Sequence, residues 1–337
     1  MIKKIALILS LFVVPVFAHA ATLSTTQGSL VKFQTDPRIF LVSDESGGLE
    51  WIQTEQDFKK RGFDYSQVTT LSDAELSNYH FVSPTPVDEP QTVTPTIINH
   101  DNALVVVVDD GTVVADEGAN KVWCLASISK LMTAIVLNDM KLNWNASIVQ
   151  SKADEVGGAR LRVAVGSKYR RIDLLHASLM GSANNSTHAL ARTSGISMAQ
   201  FVARMNAKAK QLGMKNTKFV EPTGLSSSNV STANDIAIMI DAASKIPRIA
   251  DIGKKNSYTL TSIGKKPKLH TIKTTNKLLL AGENVSLGKT GFIDESGYNF
   301  TVVGQSPAGG TRTVVVLNAP SSDKSFKLAK AYLHLEK

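Results

Sequence analysis

The sequence predicts a layered α/β domain built on an antiparallel sheet, with helices flanking it and a helical subdomain inserted, preceded by a small separate N-terminal module. Three observations point there. Residues 103–116 carry an apolar run, an Asp-Gly turn and a return run. Residues from about 150 to 250 hold apolar positions mostly at helical spacing. The last ninety residues return to alternating strands separated by short turns, which favours hairpin connections over parallel crossovers.

The 337 residues include 43% apolar and 20% charged side chains, with 22 Gly and 11 Pro, a composition that excludes a disordered, collagen-like or many-span membrane chain. Met1–Lys4 is basic, the next thirteen residues are apolar, and Ala18-His19-Ala20 has the small-x-small form of a cleavage site. Residues 1–20 are therefore expected to be a signal peptide, and the mature chain to be exported, periplasmic or cell-surface, with no stable membrane span once the leader is removed. The single cysteine, Cys124, excludes an internal disulfide and is expected to behave as a small buried apolar residue.

Residues 21–82 form the expected accessory module. Arg38–Ser43 and Leu49–Ile52 read as strands around the Asp44–Gly48 turn. Thr54 with Asp57, and Ser72 with Glu75, are spaced as capping boxes opening short helices. This stretch resembles a small repeat of exported bacterial proteins; it implies no chemistry, and its partner stays unassigned. Pro84, Pro86, Pro90 and Pro95 make residues 83–98 a semi-stiff linker. Residues 99–337 form the main domain. Its expected elements are strands over Ala103–Asp109 and Thr112–Asp116 and helices over Ser127–Lys141, Ile172–Met180, Ser186–Arg192, Met198–Leu212 and Ala233–Ser244. Strands follow over Tyr258–Thr261, Val285–Lys289, Tyr298–Val303 and Thr311–Leu317, then a helix over Ser325–Leu335. Residues 21–98 hold 5 basic and 11 acidic residues, whereas 99–337 hold 30 basic and 18 acidic, so the main domain is expected to meet an anionic partner. Neither a nucleic-acid recognition motif nor paired metal-ligand spacing is visible, so no nucleic acid, metal or cofactor is expected.

Ser127-Ile128-Ser129-Lys130 is one of five S-x-x-K matches and is distinguished by opening a strongly apolar helix directly after a strand pair. Residues three apart share a helix face, so Lys130 points toward Ser127. A serine hydroxyl needs a base, and a desolvated lysine near another cation can be one. Ser182-Ala183-Asn184 lies between two helical stretches, and Lys289-Thr290-Gly291 follows a strand; each alone is equally well a cap or a turn.

S-x-x-K, S-x-N and K-T-G in this order are the signature of the penicillin-recognising serine enzymes. Together with ASISKLMTAIVL, the stretch from Asn206 to Met239 and LGKTGFIDESGYN, they resemble the low-molecular-mass penicillin-binding proteins over roughly residues 100–337. Within these the D-alanyl-D-alanine endopeptidase branch, related to the D-alanyl-D-alanine carboxypeptidases, is most similar. The resemblance implies a β-lactamase/transpeptidase-like fold and a serine D,D-peptidase acting on peptidoglycan stem peptides and cross-links, with β-lactams as covalent inhibitors. It implies that Ser127 is acylated, Lys130 takes its proton, Ser182 relays a proton to the leaving amine, and Asn184 bonds the substrate backbone or holds the lysine. Lys289 would supply positive charge, Thr290 would meet a substrate carboxylate or amide beside Gly291, and the N–H groups of Ser127 and Phe292 would hold the oxyanion. Counting places Lys324 where the carboxypeptidases carry an arginine for the terminal carboxylate. The 48 residues after Lys289 fit the endopeptidase branch better than the longer carboxypeptidases. Carboxypeptidase, β-lactamase (with Glu155 as a possible deacylation base) and a non-catalytic wall-binding protein remain the alternative readings.

Overall fold

A computed structural model describes residues 25–34, 38–52, 55–81 and 102–335. The expected leader, the linker over 83–98 and the Thr54–Asp57 capping box lie outside the residues so described. The chain divides into two compact units, Met1–Val93 and Thr94–Lys337.

The first unit is a small sheet. Strands β1 (Leu30–Phe33), β2 (Phe40–Val42) and β3 (Gly48–Trp51) precede the short helix α1 (Glu55–Lys60), and β4 (Val68–Leu71) and β5 (His80–Phe81) complete the order β4-β1-β2-β3-β5. β2 and β3 form the antiparallel hairpin over the Asp44–Gly48 turn, whereas β1–β4 and β3–β5 are parallel. The Asp44 carboxylate accepts from the Ser46 hydroxyl and the Ser46 and Gly48 N–H groups, which holds its pKa down at about 2. Val31, Phe33, Phe40, Val42, Leu49, Leu71 and Tyr79 pack as one core. The Glu75 carboxylate accepts from the Ser72 N–H and hydroxyl at 2.8 and 2.6 Å, capping a 3-10 turn where a short helix was expected.

The second unit begins with β6 (Leu104–Asp109), β7 (Thr112–Glu117) and the two-residue strand β8 (Trp123–Cys124), then α2 (Ser129–Asp139). A paired β9 (Ser147–Val149) and β10 (Lys168–Arg170) lead to α3 (Arg171–Met180), α4 (Asn184–Arg192) and α5 (Met198–Gln211). Strand β11 (Val230–Ser231), paired with β8, precedes α6 (Ala233–Ser244) and α7 (Pro247–Gly253). The hairpin β12 (Ser257–Thr261) and β13 (Leu269–Lys273), helix α8 (Lys277–Leu280), strands β14 (Val285–Ile293), β15 (Gly297–Gln305) and β16 (Thr311–Ala319), and α9 (Ser322–Leu333) follow.

The main sheet is antiparallel throughout, in the order β14-β15-β16-β6-β7, which leaves β14 at an edge. Alternation along its strands makes two faces. Val106, Val303, Val315 and Leu317 face a helical layer containing α2, α3 and α6, whereas Val105, Val107, Val302, Val314 and Val316 face α9 through Phe326, Ala329 and Tyr332. Tyr258–Thr261, expected among these strands, instead pairs only with β13 in a separate two-stranded hairpin. Every residue of Ser129–Leu137 is buried, so α2 is wrapped by protein on all sides. That burial contributes roughly 1.5–3 kcal/mol for each of Leu131, Met132, Ile135 and Leu137 and fixes the helix that bears Lys130.

Candidate active site

The chain reaches Ser127 along β8, and two hydrogen bonds and one backbone conformation fix the approach. Asn299 of β15 donates to the Cys124 carbonyl at 2.8 Å, the Leu125 N–H donates to the Asn229 carbonyl at 2.9 Å, and Ala126 takes a left-handed φ of 47°. Residues Ala126–Ile128 then form one 3-10 turn before α2 begins at Ser129, where a continuous helix from Ser127 was expected. The tighter turn carries Ser127 at the helix mouth, half-buried, with Lys130 in the first α-helical turn behind it.

Lys130 is fully buried, and its ammonium donates to the Ser127 hydroxyl at 2.7 Å and to the Thr223 carbonyl at 2.5 Å. Burial, with repulsion from Lys289 added, holds this amine well below the ordinary lysine range; Glu221 opposes the shift. Lys289 is 1% exposed and donates to the Ser182 hydroxyl and the Thr290 carbonyl, each at 2.8 Å. Desolvation pulls its pKa down to about 7. Ser182 itself sits at a left-handed φ of 56° between α3 and α4. Two hydroxyl–amine pairs therefore face one another's electrostatic field in a dry setting.

Lys289 lies within β14, which continues through Gly291 and Phe292 to Ile293; the expected strand ended at Lys289. A Cβ at Gly291 would stand 2.9 Å from the Leu125 carbonyl oxygen and 3.2 Å from the Ser127 nitrogen, so the edge strand runs directly beside Ser127. Thr290 shares a hydroxyl hydrogen bond with Thr275 at 2.9 Å. The exposed Phe292 ring packs on Tyr298 at 4.4 Å. Asn184 does not hold either lysine: its side-chain amide donates to the Gly157 carbonyl at 2.9 Å, its own N–H donates to the Ala159 carbonyl at 2.7 Å, and its Oδ1 is buried without a hydrogen-bond partner in the described structure. Lys324 lies in the first turn of α9, the helix packed on the face of the sheet opposite α2.

Sequence spacing did not reveal the loop that supports Lys130. Glu221 accepts from the Thr223 N–H and hydroxyl and from the Gly224 N–H, and the Asn229 side chain donates to Glu221 and to the Ser129 hydroxyl. Gly224 has a φ of 85°, and a Cβ there would collide with the Ala126 carbonyl. The close approach that demands a glycine at position 224 is a tertiary fact, set by where the Ala126 carbonyl passes.

Cys124 is partly buried, and burial raises its thiol pKa, the direction of an unreactive side chain. His176 stacks on Tyr258 at 3.6 Å, and His188 contacts Asp154 at 2.9 Å. Glu155 pairs with Arg160 at 2.9 Å and accepts from Asn185. Among the described residues, no cluster of three His, Cys, Asp or Glu side chains is arranged to hold a metal, and no helix is long and apolar enough to cross a membrane.

A sequence profile of the family described as D-alanyl-D-alanine carboxypeptidase matches residues 89–321. A D-alanyl-D-alanine endopeptidase of Pseudomonas aeruginosa is 37% identical over 223 residues, covering 65% of this chain and 71% of the relative. The Escherichia coli D-alanyl-D-alanine endopeptidase is 34% identical over 223 residues with the same coverage. Among solved structures, a D-alanyl-D-alanine carboxypeptidase of Mycobacterium tuberculosis superimposes with a TM-score of 0.62 at 26% identity, covering 69% of this chain and 91% of that one. A Streptomyces DD-transpeptidase, at 23% identity and a TM-score of 0.63 over 68% of this chain and 94% of that one, shares the fold.

Proposed function

The chain belongs to the D-alanyl-D-alanine carboxypeptidase family of serine peptidases, and from that membership we propose that it hydrolyses D-alanyl peptide bonds of peptidoglycan, favouring internal cross-links, through an acyl-enzyme on Ser127. The observation that carries the mechanism is the 2.7 Å contact between the Ser127 hydroxyl and a lysine whose pKa burial holds well below the ordinary lysine range.

In this reading, a substrate peptide lies along the free edge of β14 as an added strand. The Ser127 oxygen attacks the carbonyl of the D-alanyl bond as neutral Lys130 takes its proton. The N–H groups of Ser127 and Phe292 hold the oxyanion, each donor contributing on the order of 3 kcal/mol. Ser182, bonded to Lys289, relays that proton from Lys130 to the leaving amine, which returns Lys130 to its neutral form. The Thr290 hydroxyl, beside Gly291, meets a substrate carboxylate or amide. Water then hydrolyses the ester, with Lys130 acting again as base. The cross-link preference rests on the two relatives named endopeptidases. Export to the periplasm or cell surface, and covalent inhibition by β-lactams, belong to the same reading.

Labelled penicillin is expected to attach covalently to the wild type and not to Ser127→Ala. Equal labelling of both would overturn the nucleophile. Mass spectrometry of cross-linked muropeptide dimers is expected to show monomer release; D-alanine release without monomers would make the enzyme a carboxypeptidase.

A further inference from the structure

The segment between β9 and β10 lies against the Ser182–Asn184 turn and carries two outward-facing arginines. We propose that Arg160 and Arg162 form a subsite for a free carboxylate of the peptide being cut. This deepens the D,D-peptidase reading and rests on it.

The segment is pinned to the second motif. The Asn184 N–H donates to the Ala159 carbonyl at 2.7 Å and its side chain to the Gly157 carbonyl at 2.9 Å. The Asn185 side chain accepts from the Leu161 N–H and donates to the Leu161 carbonyl, both at 2.9 Å. Gly158 has a φ of 64°, and a Cβ there would stand 2.5 Å from the Asn184 amide nitrogen. The foot of the segment is anchored where the fully buried Asp154 meets Arg192 at 2.7 Å and His188 at 2.9 Å. Leu161 and Val163 turn inward, so Arg160 and Arg162 turn outward.

Two adjoining cavities use these arginines. One of about 250 Å³ is lined by Arg160, Arg162, Gly181 and His270, among others. The second, about 790 Å³ and more open, is lined by Gly158, Arg160, Arg162 and Gly181. Gly181 lines both cavities and immediately precedes, in the chain, Ser182, whose hydroxyl is bonded to Lys289. Arg162 makes no hydrogen bond or ion pair among the described residues. Arg160 pairs with Glu155, but its side chain is 52% exposed and keeps N–H donors for a second partner. Exposed pairs of that kind contribute little to stability, so the arginines are weakly explained as structural supports. Their planar forks match the carboxylate, the anionic group a peptide substrate offers.

The test uses the full chain, Arg162→Gln and Arg160→Gln, with a synthetic D-alanyl cross-linked peptide dimer in three forms: free acid, amidated at its side-chain carboxylates, and amidated at its terminal carboxylate. On the free acid, Arg162→Gln is expected to lose about tenfold in kcat/KM. On one amidated form the wild type loses about the same and the variant loses nothing further, which identifies the source of the carboxylate. An equal loss on all three forms, or no loss, overturns the subsite. Labelled penicillin on the wild type separates the two levels of argument. If it acylates Ser127 while the three dimers are cut alike by every protein, the subsite falls and the D,D-peptidase reading stands. If it never acylates Ser127, that reading falls and takes the subsite with it.

Discussion

Replacing Glu221 by glutamine tests how the Ser127–Lys130 pair is held. The carboxylate accepts five hydrogen bonds: one oxygen from the Thr223 N–H and hydroxyl at 2.6 Å each, the other from the Gly224 N–H at 2.5 Å, the Asn229 side chain at 3.1 Å and the Ser226 N–H at 3.4 Å. A glutamine offers one oxygen and one NH₂ group. Whichever way the amide turns, the NH₂ meets at least two donors. Two charge-assisted bonds of about 1.5–3 kcal/mol each are lost, offset in part by the lower cost of burying a neutral amide. A net loss of about 3 kcal/mol follows, which for a unit the size of Thr94–Lys337 lowers Tm by about 6–12 °C. Thermal unfolding measures it. The Thr223 carbonyl bonded to Lys130 moves with the loop, so penicillin acylation slows at high pH. Glu221 also favours the charged form of Lys130, so its removal moves the acid limb of the acylation rate to lower pH. A Tm change below about 1 °C, or an acid limb that moves upward, would refute the role assigned to this loop.

Two further substitutions probe the same group. Lys289 has a pKa of about 7 in the folded chain against 10.5 for the free side chain; the unfolded state therefore binds more protons between these values, and unfolding free energy rises with pH across that window. The stability of wild type minus that of Lys289→Met, from urea unfolding, is expected to grow from pH 7 to 10; a flat or falling difference would contradict the buried-amine argument. Gly224→Ala places a methyl against the Ala126 carbonyl at a left-handed φ, and is expected to cost roughly 2–4 kcal/mol and to slow penicillin acylation more than about tenfold. Acylation within twofold of wild type would show that the loop yields without disturbing Ser127.

The legible parts of the fold were those with long periodic signals. Ala233–Ser244 forms a helix over the residues that its spacing indicates, and α5 differs from its expected span by one residue. The missed elements are short or depend on partners. β1, β4 and β5 have two to four residues each, and two of their pairings are parallel and non-local. β14 extends four residues past Lys289 because β15 continues to pair with it through Ile293–Gly297, and pairing is invisible in a single strand's pattern. Motif order brought forward Ser127, Lys130, Ser182 and Lys289, whose side chains the structure joins in two pairs. Counting along the chain put Lys324 in the first turn of α9, and an offset from a motif does not by itself say what that side chain meets.

The residues around the two site turns have a shared physical task. Ala126 and Ser182 are both non-glycine residues in the left-handed region, one preceding the first hydroxyl and the other bearing the second. Such backbone costs of order 1–3 kcal/mol per residue and persists only where neighbours over-determine it. At Ala126 those neighbours are Asn299 on the preceding carbonyls, Asn229 on the Leu125 N–H, and the close passage of Gly224 and Gly291. At Ser182 they are the Ala183 N–H bonded to the Ala177 carbonyl and the Lys289 ammonium on the hydroxyl. The large apolar core around α2 offsets both this strain and the burial of two amines. Removing a support is therefore expected to harm the hydroxyl–amine geometry before it unfolds the domain, because the strained turns relax toward ordinary backbone while the core stays packed. That ordering separates a positioning role from a merely stabilising one: in the Gly224 substitution, acylation is lost at temperatures well below the unfolding midpoint.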